Sequence, residues 1–440
     1  MQLISIIVFA VLLIAGFGFF AINVKKIIRN IKLGQDVNRF DNPSSRWKNM
    51  AMIALGQQKM VKKPVMGILH IIVYVGFIII NIELLEIIID GLFGTHRIFA
   101  FLPFYNFLIA SFEILAFLVL FAVIIFWTRR NVMKLKRFIS SDLNGWPKSD
   151  ANYILYFEVV LMTLFLLMNA SDLYLQNQNY SHYHQAGFFP ISQFLTPIFD
   201  GIAPHNVAIF ERIVWWMHIT GILIFANYLY FSKHLHILLA FPNTYFADLN
   251  MQGKFDNLQS VTNEVKLMMD PNADPFAAQP FDENAVPGKF GAADVQDLNW
   301  VQLLNAYTCT ECGRCTDACP ANTTGKKLSP RKIMMQTRDR LEEVGRNIDK
   351  NKGIFIPDNK TLLNDYITTE ELWACTSCNA CVEECPVNIS PLSIILDMRR
   401  YLVMEQSAAP MSLNAMMTNI ENNGAPWQYN QQDRLNWASE

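Results

Sequence analysis

The sequence predicts an all-α chain in which five transmembrane helices precede a smaller helical domain organised around cysteines. Three observations carry this. The chain of 440 residues divides near residue 240, with long apolar stretches before it and an ordinary polar sequence after it. That division lets 52% hydrophobic residues coexist with 17% charged ones. All eight cysteines follow residue 308, and none lies in the apolar half. A net charge of -2 gives no reason to expect a nucleic-acid partner.

A helix needs about 20 apolar residues to cross a hydrocarbon core. Segments near 3–24, 64–90, 101–127, 153–175 and 208–233 qualify. The first has neither the basic start nor the small-residue cleavage site of a signal peptide, so it reads as a retained span. Loop charge sets the orientation. Ten Lys and Arg lie between Lys25 and Lys63, and six more follow the third span, among them Arg129, Arg130, Lys134, Lys136 and Arg137. The loop after the second span holds only Arg97, and the loop between spans four and five holds none. The N-terminus is therefore expected outside and the cysteine domain in the cytoplasm, which agrees with clustered thiols belonging to a reducing compartment.

Ionisable residues at membrane depth are functional candidates. His70 lies in span two, His218 in span five and His236 at its inner end. Eighteen residues is five turns, so His218 and His236 are expected on one face about 27 Å apart, with His234 on another. Imidazoles so placed suit axial ligation of haem b between helices. They equally suit helix capping or hydrogen bonding within the bundle. Glu83 and Glu86 share one face of span two, and Glu211 and Arg212 open span five at the same depth. These read either as a quinone or proton-exchange site or as interhelical ion pairs, and Glu113 and Glu158 have no assigned role.

The chemistry-bearing motif is Cys309-Thr-Glu-Cys312-Gly-Arg-Cys315-Thr-Asp-Ala-Cys319-Pro320. It recurs as Cys375-Thr-Ser-Cys378-Asn-Ala-Cys381-Val-Glu-Glu-Cys385-Pro386. Both follow C-x2-C-x2-C-x3-C-P, in which three thiolates wrap one [4Fe–4S] cluster and the fourth, on the following helix, ligates the other. One cluster then takes Cys309, Cys312, Cys315 and Cys385, and the other takes Cys375, Cys378, Cys381 and Cys319. Zinc sites show two separated C-x2-C pairs, not a triplet plus one. The fold class completes as a five-helix bundle plus an α-helical ferredoxin-type 2[4Fe–4S] domain.

The expected divisions are a transmembrane domain over 1–240, a linker over 241–300, the cluster domain over 301–405 and a tail over 406–440. The linker is marked by breaks at Asp270-Pro271, Asp274-Pro275 and Pro287-Gly288. A helix over 328–350 places Arg331, Lys332, Arg338, Arg340 and Arg346 among carboxylates, the pattern of a solvated face.

His70-(x)5-Gly76-Phe77 and the segment from His218 to Pro242 resemble the haem b subunit of respiratory nitrate reductases. Thr369-Glu370-Glu371-Leu372-Trp373-Ala374-Cys375 resembles iron–sulfur subunits of heterodisulfide-reductase type. Together the halves resemble membrane quinone-linked oxidoreductases such as the electron-transfer-flavoprotein:menaquinone group. The resemblance implies one haem b on His70 and His236. The second histidine of span two is replaced by Ile80, which leaves His218 without its usual partner. A second haem would need His96, His182 or His184, so His218 with Glu83 and Glu86 is kept as a second haem or quinone site. Larger relatives continue into cysteine-rich CCG domains beyond a segment like Gly424-Ala-Pro-Trp427…Arg434-Leu-Asn-Trp437-Ala438, which implies a separate CCG-type subunit or flavoprotein donor at the tail. The expected function is electron transfer between that partner and quinone in the inner membrane. The alternative is a membrane redox sensor or scaffold whose clusters exchange no electrons with quinone.

Overall fold

The computed structural model describes residues 2–272 and 289–439. Five helices are long and apolar enough to cross a membrane: Leu3–Ile31, Pro64–Phe93, Tyr105–Asn131, Trp146–Asn177 and Pro204–Phe231. Each overlaps a predicted span, and prolines in the first turn at Pro64, Pro147 and Pro204 start three of them. Among the described residues there is no strand, only isolated bridges joining Gln35 to Asn299 and Leu363 to Ile367.

Helical spacing decides which side of each span is buried. In the third span Ile109, Phe112, Ala116, Val119 and Val123 face the bundle, while Phe107, Ile114, Phe117, Phe121 and Ile124 are exposed as on a lipid-facing surface. Spans two and three pack closely at Gly76, where an added Cβ would sit 2.6 Å from the Val119 methyl.

Span five is not one straight helix. Its α-helix ends at Tyr228, passes through short 3₁₀ turns at Leu229–Phe231 and Lys233–Leu235, and a new helix starts at His236–Tyr245. Ser232 makes the break, with extended backbone and a hydroxyl that accepts the His234 N–H. The expectation that His218 and His236 share a face of one helix is therefore overturned.

The second half packs around the helices Trp300–Thr308, Pro330–Lys350 and Pro391–Met404. Asn299, Ser329 and Ser390 cap them by accepting backbone N–H groups of their first turns. Leu303, Ile333, Leu341, Val344, Ile394 and Met398 form a core continuous with Ile27, Phe225, Leu229 and Leu235 of the apolar half. The two halves thus share one core. The expected linker joins in at its end, where Ala292, Val295 and Leu298 are buried. Asp270 caps the end of a helix over Gln259–Met269, whereas Asp274-Pro275 and Pro287-Gly288 lie outside the described residues.

The arginines of helix Pro330–Lys350 correct the expected solvated face. Arg331 and Arg340 are fully buried. Arg331 grips Asp142 with two hydrogen bonds of 3.0 and 2.6 Å and donates to the Arg137 carbonyl at 2.7 Å. Arg340 pairs with Asp294 and Asp358 at 2.8 and 2.6 Å. Asp142 belongs to the loop after span three, so Arg331 fastens one half to the other.

Candidate functional site

The two motifs fold alike. The second residue after each first cysteine, Glu311 and Ser377, has φ of 56° in both cases, and Gly313 and Asn379 follow at 75° and 60°. This left-handed pair turns three thiols toward one centre. Arg331 presses on the outside of the first loop, 2.7 Å from where a Gly313 Cβ would lie.

Cys309, Cys312, Cys315 and Cys385 line one cavity with an empty volume of about 400 Å³. Cys375, Cys378, Cys381 and Cys319 form a second group close enough to influence one another electrostatically. Each group brings three cysteines of one motif beside the fourth of the other. The fourth thiols sit at helix ends and not within following helices: Cys319 precedes Pro320–Thr323, and Cys385 ends Ala380–Glu384. Among the described residues no three Cys, His, Asp or Glu side chains close to the spacing of a single ion. A cavity ringed by four soft donors fits a multi-iron cubane. Burial pushes Cys309 up to about 12 and Cys385 up to about 11 as free thiols. A bound polycation is what would hold them as thiolates. The N–H groups of Ile389 and Ser377 donate to the sulfurs of Cys385 and Cys375 at 3.3 and 3.4 Å.

The quartets touch, because Cys381 of the second also lines the first cavity. Their surroundings differ. The first lies against the apolar half: Lys59 donates to Val382 O at 3.3 Å, Asn243 to Val387 O at 2.7 Å, and Arg314 to Lys59 O at 3.4 Å. Glu311, inside the first loop, pairs with Lys233 and with Arg338 at 2.9 Å. In the second quartet Cys378 is exposed. Arg399 braces that loop through the Cys375 carbonyl at 2.5 Å and the Ser377 hydroxyl at 3.3 Å.

His70, His234 and His236 gather beside the first quartet, within electrostatic reach of one another and, for His70, of Arg314. His234 and His236 rings are 5.4 Å apart. The His236 Nδ1 lies 3.2 Å from the Lys233 carbonyl, and the buried His70 Nδ1 has no partner. His218 lies elsewhere, in an apolar cavity with Ile80, Glu83, Glu158 and Met162. His96, His182 and His184 do not line it. His96 pairs with Asp172 at 3.0 Å, and His182 and His184 are exposed.

Toward the end of the bundle remote from the clusters, Arg97 is the hub of a buried network. It bonds Glu83, Asp172 and Asn169 at 2.9, 2.8 and 2.7 Å, while Tyr105 donates to Glu86 at 2.9 Å. Glu113 accepts the Ile191 and Ser192 N–H groups at 2.9 and 3.0 Å, and Glu211 accepts from Tyr183 at 2.7 Å. Sequence reasoning found the carboxylates but not Arg97, whose signal was its being the single cation of its loop. It also missed Glu311, Lys233, Asn243 and Arg399. Of these only Glu311 carried a cue, a charge placed between two cluster cysteines.

The 4Fe-4S dicluster domain family matches residues 308–389. The Bacillus subtilis protein named "Probable iron-sulfur-binding oxidoreductase FadF" is 30% identical over 95% of this chain and 58% of its own length. The "EtfAB:quinone oxidoreductase" of Syntrophomonas wolfei is 24% identical over 92% of this chain and 55% of its own. One of the subunits of the ferredoxin/F(420)H(2)-dependent CoB-CoM heterodisulfide reductase of Methanosarcina acetivorans is 33% identical over 24% of this chain and 52% of its own. The chain thus spans little more than half the length of the first two relatives. No solved structure matches it. Its homologues are iron–sulfur oxidoreductases and electron-transfer subunits.

Proposed function

We propose that this homologue of iron–sulfur oxidoreductases carries electrons between a soluble redox partner and the membrane quinone pool. One observation supports the reading above the others: two abutting thiol quartets, one exposed at Cys378 and one whose loop is tied to the apolar half through Arg314 and Glu311. In this reading Cys375, Cys378, Cys381 and Cys319 hold the cluster that meets the partner. Cys309, Cys312, Cys315 and Cys385 hold the cluster that meets the membrane. Residues 1–240 form the membrane domain, 301–405 the cluster domain on the cytoplasmic side, and 406–440 the docking tail. The exposed Trp427, Leu435 and Trp437 support docking of a partner subunit there.

His70 and His236 would hold haem b, since one has an orphaned buried nitrogen and the other has its second nitrogen fixed by a carbonyl. A bound haem supplies one-electron storage between the clusters and a two-electron quinone. Lys233 positions His236 through its carbonyl and joins the cluster loop through Glu311.

The test is to add a quinol analogue to the purified, detergent-solubilised protein and follow the clusters by electron paramagnetic resonance and the haem by absorbance. Reversible reduction of both clusters, with a b-type α-band, is expected. Clusters that stay oxidised with quinol, and stay reduced with quinone, would sink the reading.

A further inference from the structure

Two cavities share the side chains of Glu83 and Ile87, of which only Glu83 is ionisable. The first, with an empty volume of about 670 Å³, is apolar and is lined by spans two, three, four and five. Its rim includes Phe77, exposed toward the lipid side, and its interior holds the buried His218, whose Nδ1 has no hydrogen-bond partner. The second, of about 450 Å³, is polar and lies toward the face remote from the clusters. It is lined by Glu83, Glu86, Asp90, Asp172 and Glu211 against Arg97 and Arg212, with His96 beside them. Thr95 is exposed at its edge, and the Arg212 side chain is 47% exposed, so it reaches solvent. Glu83 lines both cavities, is 1% exposed, and has one carboxylate oxygen bonded to Arg97 and the other, Oε2, without a partner.

An apolar chamber reached from lipid, with one imidazole and two carboxyls, Glu83 and Glu158, in its lining, is suited to the head of a lipophilic quinone, and of the two carboxyls only Glu83 also lines the polar chamber. Ile80 occupies the wall where a second imidazole would be needed for bis-histidine haem. We propose that the quinone head binds in the His218 cavity and exchanges its protons through Glu83 with the polar chamber around Arg97, on the face remote from the clusters. This rests on the quinone-linked reading above. In the oxidising direction one quinol breaks two O–H bonds, yielding quinone, two electrons and two protons. The electrons leave one at a time toward the clusters, and the protons leave through Glu83. Groups facing Glu83 from each packed element are Arg97 in the loop, Glu86 on its own helix, Glu113 on span three, and Asp172 and Asn169 on span four. Glu211 and Arg212 face the same chamber from span five. The excess of carboxylates gives a proton leaving Glu83 several onward acceptors.

The experiment uses the full chain in vesicles loaded with a lipid-soluble quinol and a trapped pH dye, with ferricyanide added outside. Ferricyanide does not cross the lipid, so turnover reports only molecules whose cluster domain faces outward, and protein-free vesicles give the background. The lumen should acidify by two protons per quinol. Glu83→Gln, which keeps an oxygen for Arg97, should slow turnover about tenfold with dithionite-reduced cluster signals unchanged. Phe77→Trp should raise the apparent KM for quinol and leave the pH profile alone. If wild-type protein passes no electrons from quinol to ferricyanide, the quinone-linked reading itself fails. If electrons pass but protons appear outside and Glu83→Gln turns over normally, only the proton route fails. Loss of haem absorbance in His218→Ala would mean that the cavity holds a haem, with Met162 as the other side chain able to ligate it, and would overturn the quinone assignment.

Discussion

The two cysteine motifs are near copies, yet their surroundings make them different devices. At the second position after the first cysteine, one has Glu311 and the other Ser377. Glu311 is buried and bonded to Lys233 and Arg338 from two other elements, while Ser377 accepts a single 3.3 Å contact from Arg399. The first loop is tied to the apolar half through Arg314 and Glu311, and the second presents Cys378 to solvent. Cluster potentials follow charge, sulfur hydrogen bonding and exposure. The same ligand pattern thus sits in two settings, one, the inner, tied to the apolar half through Arg314 and Glu311 and one, the outer, exposed at Cys378.

Changing ligands gives the largest effects and tests the crossed sets. Cys319→Ser, although in the first motif, should remove the outer cluster and about half of the bound iron, leaving the inner cluster's resonance intact. Loss of the inner resonance instead would mean that the ligands are not crossed. Glu311→Gln should come next. It leaves the buried Lys233 ammonium poorly paired, so stability should fall by about 3 kcal/mol and the inner cluster's potential should shift while the outer one stays put. Denaturant unfolding and a redox titration read the two consequences separately.

Acid should loosen the joint between the halves before it disturbs the outer loop. Burial works to raise the Asp142 carboxyl, but hydrogen bonds from Arg331, Ser140 and Ser329 overcome this and hold it below its ordinary value. A depressed folded-state pKa adds stability that is complete at neutral pH and is lost as pH falls through about 4 and below. Asp142→Asn should therefore lower stability at pH 7 and flatten its decline in acid, as followed by thermal unfolding across pH. The smallest change tests the loops themselves. Asn379→Ala, at φ of 60°, should cost about 1 kcal/mol, whereas Gly313→Ala should cost more because its Cβ would meet Arg331.

What the sequence made legible was local. Five apolar runs and two C-x2-C-x2-C-x3-C-P motifs suffice for the spans and the dicluster domain, because hydropathy and ligand spacing are local properties. The rest depended on what packs against what. Arg331 and Arg340 look like a solvated face until Asp142, Asp294 and Asp358 arrive from distant segments to neutralise them. The break after Tyr228 contains no Pro or Gly, and a serine hydroxyl turned back on the backbone makes it. Arg97 gave no motif, although four side chains converge on it.

For this wiring to work, the inner quartet must lie between the membrane and the outer one. The most direct test is rapid mixing of a quinol analogue with Cys385→Ser and Cys378→Ser proteins, following the remaining cluster by freeze-quench electron paramagnetic resonance. With the inner cluster removed, the outer one should accept electrons from dithionite but no longer from quinol. With the outer cluster removed, the inner one should still be reduced by quinol at the wild-type rate. Outer-cluster reduction by quinol at an unchanged rate in Cys385→Ser would contradict the arrangement.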